Sequence, residues 1–230
     1  MTEFDAYRTT YEEEINRAVS FSGKSHDFFL KVKAELLLEY IDRLTPAGEH
    51  LEALDVGCGH GAMHRFMLGK AKPMRLTGVD VAEQVIDMAK ESNAGVRYLS
   101  YDGVKLPFAD ASFDAAFTVC VMHHVPPSQW LLFLAEMHRV MRPGGVVAIA
   151  EHNPLNPLTS WIVRTCPLDQ NAVLVRPKKL LSLMRQAGFK EIDRRFILFT
   201  PFDVPLAAKL DRGLAWLPLG AQYVAVGRVP

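Results

Sequence analysis

The stretch Leu51–Glu52–Ala53–Leu54–Asp55–Val56–Gly57–Cys58–Gly59–His60–Gly61 constrains this chain more than any other. Leu51, Leu54 and Val56 belong to a buried strand, and Gly57, Gly59 and Gly61 form a turn. Ala62 to Gly69 reads as the helix that follows, with apolar Met63, Phe66, Met67 and Leu68. Glycines at alternate positions permit φ > 0 and leave the main chain bare, so a ligand can lie directly on it. A strand feeding such a turn is how open parallel sheets hold a nucleotide-like cofactor at their carboxyl ends. The spacing selects among cofactors. A dinucleotide site uses G-x-G-x-x-G, with the pyrophosphate on the helix N-terminus. Here the spacing is G-x-G-x-G, and Asp55 stands just ahead of Gly57. A carboxylate there repels a pyrophosphate and suits a ligand with a cationic group, such as an ammonium.

The rest of the chain repeats the alternation. Met74–Asp80 reads as a second strand ending in an acid. Asp80 lies about 20 residues beyond the turn, where a strand-end carboxylate can accept both ribose hydroxyls. Ala82–Ser92 is an amphipathic helix with Val85, Ile86 and Ala89 at helical spacing. Val96–Ser100 is a third strand, followed by Tyr101–Asp102–Gly103 and Leu106–Pro107–Phe108. Phe113–Val121 is a nearly continuous apolar run, as a strand covered on both faces requires. It ends at Met122–His123–His124–Val125–Pro126. A helix from Ser128 to Met141 shows Trp130, Phe133, Leu134, Met137, Val140 and Met141 on one face. Arg142–Pro143–Gly144–Gly145 stops it. Val146–Ala150 is the fifth strand, leading to Glu151–His152–Asn153. Pro177 opens a further helix that buries Leu180, Leu181, Met184 and Ala187 and closes at Gly188. Ile192–Phe199 and Gln222–Val229 are the sixth and seventh strands.

The run Asp-Val-Gly-Cys-Gly-x-Gly resembles motif I of the class I S-adenosylmethionine (SAM) methyltransferases. The order L-P-F, F-D, H-H and R-V-M-R-P-G-G is similar to the small-molecule branch of that group, the "methyltransferase type 11"-like family, over roughly residues 30 to 200. The resemblance implies an α/β fold: a doubly wound, seven-stranded, mostly parallel Rossmann-like sheet with the last strand antiparallel and a helical segment before it. It implies SAM as cofactor and S-adenosylhomocysteine as product. Carried onto this chain, it places the cofactor on Asp55, Gly57, Cys58, Gly59 and Gly61. Asp80 becomes the ribose acid, with Val81 beside it, and Asp102 the acid that bonds the adenine amino group, with Gly103 beside it. Val119 and Cys120 complete the cofactor set. Asp110 and Asp114 read as turn and strand-start residues.

Composition narrows the partners. Lys and Arg number 26 and Asp and Glu 26, so the formal net charge is zero. A general nucleic-acid binder shows a basic excess instead. The 3 cysteines, Cys58, Cys120 and Cys166, are scattered and odd in number, which fits a reducing compartment, the cytoplasm. The N-terminus, with Glu3, Asp5 and Glu12–Glu14, shows no signal-peptide pattern. No apolar stretch approaches the ~20 residues that span a bilayer.

Residues 1–48 read as a helical lid and 49–230 as the SAM-binding domain, with 152–176 inserted as a substrate cap. The periodicity predicts a helix over Asp27–Leu44 with Phe28, Val32, Leu36, Tyr40 and Leu44 on one face, ended by Pro46 and Gly48. Tyr7, Tyr11, Phe21 and His26 are lid candidates, while Lys33 reads as a solvated lysine rather than a partner for the methionine carboxylate. The 152–176 segment, holding Trp161, Arg164, Cys166 and Asp169, is long for a connection. Its alternative is a short structural helix, Leu158 to Arg164. Between the last strands, Leu206, Leu210, Leu214 and Trp216 with Lys209 and Arg212 form an amphipathic segment that is expected to pack on the protein. A lipid-linked acceptor stays open.

Methyl transfer from a sulfonium is an in-line displacement, so the enzyme gains most from alignment and exclusion of water. A base helps when the acceptor carries a proton, and histidine suits that task. His124 and His152 are the candidate bases; His123 is as readily structural, and Glu151 could orient His152 or act itself. Asn153–Pro154 follows the fifth strand rather than the fourth, so it is not the N-P-P-Y motif of DNA-base methylation. His60 and His64 could share a helix face, but no third ligand is visible and no metal is expected. The reading is a methyltransferase acting on oxygen or carbon of a small molecule. Its rivals are a non-catalytic SAM-binding protein and a nicotinamide-dependent oxidoreductase, the latter disfavoured by Asp55 and the glycine spacing.

Overall fold

In the computed structural model the alternation of apolar runs is realised as helices alternating with the strands of one sheet. The structure describes residues 16–17, 19–44, 50–68, 73–200, 202 and 204–230. The expected lid residues Tyr7 and Tyr11 and the stop at Pro46 and Gly48 lie outside these, as does the side chain of Phe21. Helix α1 (His26–Leu44) precedes β1 (Leu51–Val56), α2 (His64–Met67), β2 (Met74–Asp80), α3 (Glu83–Ser92), β3 (Arg97–Ser100) and β4 (Phe113–Val119). Then come α4 (Trp130–Arg139), β5 (Met141–His152), α5 (Pro157–Thr165), α6 (Pro177–Gln186), β6 (Lys190–Ile197), α7 (Pro205–Gly213) and β7 (Gln222–Arg228).

The strands form one sheet in the order β3-β2-β1-β4-β5-β7-β6. β1 pairs in parallel with β2 and β4, β2 with β3, and β4 with β5, while β7 runs antiparallel to both β5 and β6. Successive side chains on a strand face opposite ways, and the two cores show it. Leu54, Ala116, Val147 and Ile149 join one cluster with Leu134 and Met137 of α4 and Met184 of α6. Ala53, Phe117, Ala148 and Ala150 join the other with Leu30, Ala34 and Leu37 of α1. Both faces are covered, which is why the strands read as continuous apolar runs.

Several boundaries differ from the sequence reading, each for a local reason. The helix expected over Ala62–Gly69 is the single turn α2, because Leu68 is extended (ψ 143°). β4 stops at Val119 since Cys120 takes φ 57°. α4 stops at Arg139, and Met141 pairs with Phe113 as the start of β5. Arg142–Gly145 then bulge opposite Asp114 before pairing resumes at Ala115 and Val146. Asp114 anchors this bulge and β1, accepting from the Arg142 guanidinium (2.7 Å) and the Glu52 N–H (2.9 Å). In α1 the buried residues are Leu30, Lys33, Ala34, Leu37, Tyr40 and Ile41; of the expected face Tyr40 is buried, while Phe28, Val32, Leu36 and Leu44 are half-buried. α7 buries Ala207 but leaves its larger apolar side chains out: Leu206 is 77% exposed and the nearby Trp216 71%. Among the described residues, no helix is long and apolar enough to cross a membrane.

Candidate functional site

A cavity of about 630 Å³ opens along the carboxyl ends of β1, β2, β4 and β5. Its floor is the glycine turn. Gly57 has φ 78°, and a Cβ there would stand 2.4 Å from the Val121 side chain, so close approach of the β4 loop demands glycine. Gly59 has φ 54°, and a Cβ would meet nothing within 4 Å: here the bare main chain faces open space. Gly61 is not among the lining residues; it backs onto Tyr98 and Asn93. Asp55, Gly57, Cys58, Gly59, Asp80, Val81, Asp102, Gly103, Val119 and Cys120 all line the cavity.

Each acid at this end has a distinct environment. Asp55 is buried, and its Oδ2 is held by His64 Nε2 at 2.9 Å. His64 Nδ1 lies 2.6 Å from the Tyr98 hydroxyl. The neutral tautomer that donates from Nε2 and accepts at Nδ1 satisfies both contacts. His64 is therefore a buried strut, and it shares no face with His60, which precedes α2 and lines the cavity. Asp55 Oδ1 has no hydrogen-bond partner among the described residues. Burial pushes the Asp55 carboxyl up, against the pull of His64. Asp80 accepts from the N–H of Gly59 (2.9 Å) and of Ala82 (3.0 Å), fastening the turn to β2. Burial raises its pKa too, and those N–H groups oppose the rise. Asp102 is exposed at the rim, where its Oδ1 accepts from Val104 N–H and Lys105 N–H, which hold its carboxyl below the usual range.

Lys33 departs most from the sequence reading. It is 5% exposed rather than solvated, and it lines the cavity with His26. Burial, then the Lys33 charge, pushes the His26 imidazole down to about 3.

The far end is built from the loops after β4 and β5 and from α5. Trp130 Nε1 donates to the carbonyls of Met122 (3.0 Å) and Val125 (2.9 Å), which fixes the loop carrying His123 and His124. Glu151 neither orients His152 nor faces the cavity. Adjacent strand residues point to opposite faces, and Glu151 turns inward to His123 Nδ1 (2.5 Å) and the N–H groups of Val121 (3.2 Å) and Met122 (2.8 Å). Burial opposes charge on both partners, yet their mutual attraction prevails: Glu151 lies below its ordinary pKa and His123 well above. Asp169 Oδ1 stands 3.4 Å from His123 Nε2 and 3.5 Å from His124 Nε2. These three residues bring ligand-type atoms within 4.8 Å of one another, a grouping that spacing in the sequence does not reveal.

His124 and His152 both line the cavity. Burial, and then the charge on His123, pushes His124 down to about 4, so its imidazole is neutral near pH 7. His152 sits beside Cys120 and Gln222, with Nδ1 3.4 Å from Gln222 Nε2. Burial opposes the Cys120 thiolate, but Lys33 and His152 draw the thiol down to about 7. Thr159, Ile162 and Val163 of α5, with Cys166, Leu168 and Asp169 after it, close the cavity over these histidines.

A seven-stranded sheet with only its β7 strand reversed, a glycine turn after β1 and acids at the ends of β1 and β2 define a Rossmann-like methyltransferase fold. Comparisons with known proteins agree. Residues 54–149 match the methyltransferase-domain family. The phthiotriol/phenolphthiotriol dimycocerosates methyltransferase of Mycobacterium tuberculosis is 34% identical over 112 residues, 48% of this chain and 41% of the relative. An O-methyltransferase of Penicillium expansum is 34% identical over 160 residues, 66% of this chain and 56% of the relative. A fatty-acid O-methyltransferase of Mycolicibacterium smegmatis is 32% identical over 115 residues, 49% and 41% of the two chains. The chain thus spans about half the length of these curated relatives. Among solved structures, a SAM-dependent methyltransferase from Thermotoga maritima has a TM-score of 0.65 at 21% identity, covering 95% of this chain and 99% of that one. Haemonchus contortus phosphoethanolamine N-methyltransferase 2, in complex with SAM, has a TM-score of 0.64 at 18% identity, covering 100% and 60%. These two show the shared fold. The fold is thus that of the class I SAM-dependent methyltransferases, and residues 54–149 match the methyltransferase domain.

Proposed function

We propose that this protein transfers a methyl group from SAM to an oxygen of an apolar small molecule and releases S-adenosylhomocysteine. The observation that carries this reading is one cavity joining the glycine turn to the histidines under α5. SAM lies along the turn, its adenine toward Asp102 and Gly103, its ribose on Asp80 and its ammonium on the unpartnered Oδ1 of Asp55. Buried Lys33 supplies the cation for its carboxylate. Gly57, Cys58 and Gly59 pass beneath the ligand, and Val81, Val119 and Cys120 wall it. Gly61 acts indirectly, by shaping the turn.

The acceptor enters under the 152–176 cap, whose Ile162, Val163 and Leu168 give it an apolar roof. His124 takes the acceptor proton, since its neutral form is the one present near pH 7. His152 is the second base candidate and, with Lys33, favours the Cys120 thiolate. Two relatives bear names that give a fatty acid and phthiotriol dimycocerosates as their substrates, which supports an acceptor with a long acyl chain. The three free cysteines support a reducing compartment such as the cytoplasm.

Calorimetric titration with SAM, S-adenosylhomocysteine and NADH tests the cofactor assignment: the first two bind and the third does not. Incubation with SAM and hydroxylated or carboxylated acyl acceptors should then yield methylated product by mass spectrometry. Binding of NADH alone would overturn the reading.

A further inference from the structure

The helix that roofs the acceptor end has a second face. Thr159, Ile162 and Val163 of α5 line the cavity, while Leu158 and Trp161 on its outer side are 48% and 60% exposed and Leu155, just before the helix, is 47% exposed. The segment that follows α7 is tied to the same helix. Asn156 Nδ2 donates to the carbonyl of Leu219 (2.7 Å), and Thr159 Oγ1 donates to that of Ala221 (3.0 Å). That segment and α7 also hold apolar side chains in water: Leu206 77%, Leu210 50%, Trp216 71% and Leu219 54% exposed. Soluble surfaces seldom gather so many large apolar groups without a use.

The charge pattern says what covers them. At helical spacing, Leu206, Leu210 and Gly213 share one side of α7, and Lys209 and Arg212 flank it. Ala207 turns inward, as does Asp211, whose Oδ2 accepts from the Phe199 N–H (3.2 Å). Among the described residues of 155–165 and 202–220, Asp211 is the sole acid; the bases are Arg164, Lys209 and Arg212. Asp203 lies outside the described residues. An apolar stripe edged by Trp and by basic side chains fits an anionic lipid surface, where the stripe enters the headgroup boundary and the cations meet phosphates.

We propose that α7, the segment after it and the outer side of α5 form a face that docks on an anionic bilayer. An acyl acceptor then leaves the bilayer next to the roof of the cavity; this purpose, though not the binding itself, rests on the function proposed above. The test is co-sedimentation of the full chain with vesicles of equal parts phosphatidylcholine and phosphatidylglycerol, and with phosphatidylcholine alone. The protein should pellet with the mixed vesicles and about tenfold less with phosphatidylcholine. Leu206→Glu with Trp216→Glu should leave it in the supernatant while its SAM affinity stays that of the parent. Both substitutions fall on exposed side chains, so the fold tolerates them. A parent protein that ignores both vesicles overturns the proposal, and so does a variant that pellets like the parent. A dimer that the two substitutions dissolve, with no vesicle binding, assigns the face to a second copy and also overturns it. Failure of the methyltransferase reading has a different signature, vesicle binding without SAM binding.

Discussion

The two ends of the cavity bury charge in opposite ways. At the glycine turn, Asp55 is buried and Asp80 half-buried, each held by hydrogen-bond donors, and burial pushes both pKa values up. At the acceptor end, Glu151 and Asp169 enclose the His123 imidazolium, and both carboxylates lie below their ordinary values. The first end leaves Asp55 Oδ1 without a hydrogen-bond partner; the second sets its carboxylates directly against an imidazolium. A cationic ligand suits the first, and SAM brings an ammonium and a sulfonium. An acceptor of little charge suits the second, which offers a neutral His124 and apolar walls. The comparison teaches that the glycine-turn end keeps a carboxylate oxygen open to a ligand, whereas the charged groups at the histidine end are engaged with one another.

Substitutions can break each side of this contrast. The largest expected effect is on the balanced end. Glu151→Gln removes the nearer of the two carboxylates on buried His123, leaving Asp169 at 3.4 Å, and should cost about 3–5 kcal/mol in urea denaturation. A change under about 1 kcal/mol would show that the pair is structurally idle. Next is Asp55→Ala, which removes the unpartnered Oδ1 and should weaken SAM binding by about 100-fold or more in calorimetry. A melting curve separates this from loss of the His64 strut. His124→Ala should lower kcat by about 100-fold with SAM affinity within about twofold. If His152→Ala does so instead, the base assignment moves to His152.

Acid sharpens the contrast further. The folded His124 titrates near 4, below its unfolded value of 6.5, so the unfolded state binds more protons between these limits. Its contribution is complete above pH 6.5 and falls as pH drops toward 4, by about 2 kcal/mol near pH ~5. His123, Asp169, Glu151 and His152 all act on this group. His26, pushed to about 3, adds a similar slope at the cofactor end. His124→Gln should therefore reduce the acid dependence of the urea midpoint without abolishing it. The smallest effect is Lys33→Met, a near-isosteric loss of one cation, expected to weaken SAM about tenfold. No change there would return Lys33 to a packing role.

Much of the cofactor end was legible in the chain itself. Leu51 to Val56 and Met74 to Asp80 have the strand boundaries their apolar runs imply. Glycines at alternate positions after a buried run leave few conformations, so the turn and the acids near it follow from local constraints. The acceptor end was harder. Reading Glu151 beside His152 invites a pair, but alternation on β5 sends them to opposite faces, and each finds a partner from another element. Asp169 is distant from His123 and His124 in sequence, and the segment after α5 brings it there.

What the sequence determined by itself is the order of strands and helices, the left-handed glycine turn and the acids at strand ends. These depend on side-chain period and backbone sterics within a few residues. Only the tertiary structure decided that Lys33 is buried, that His123 rather than His152 pairs with Glu151, and that α7 leaves Leu206 in solvent. Burial and pairing depend on which elements meet across the sheet, and residues far apart in the chain settle that together.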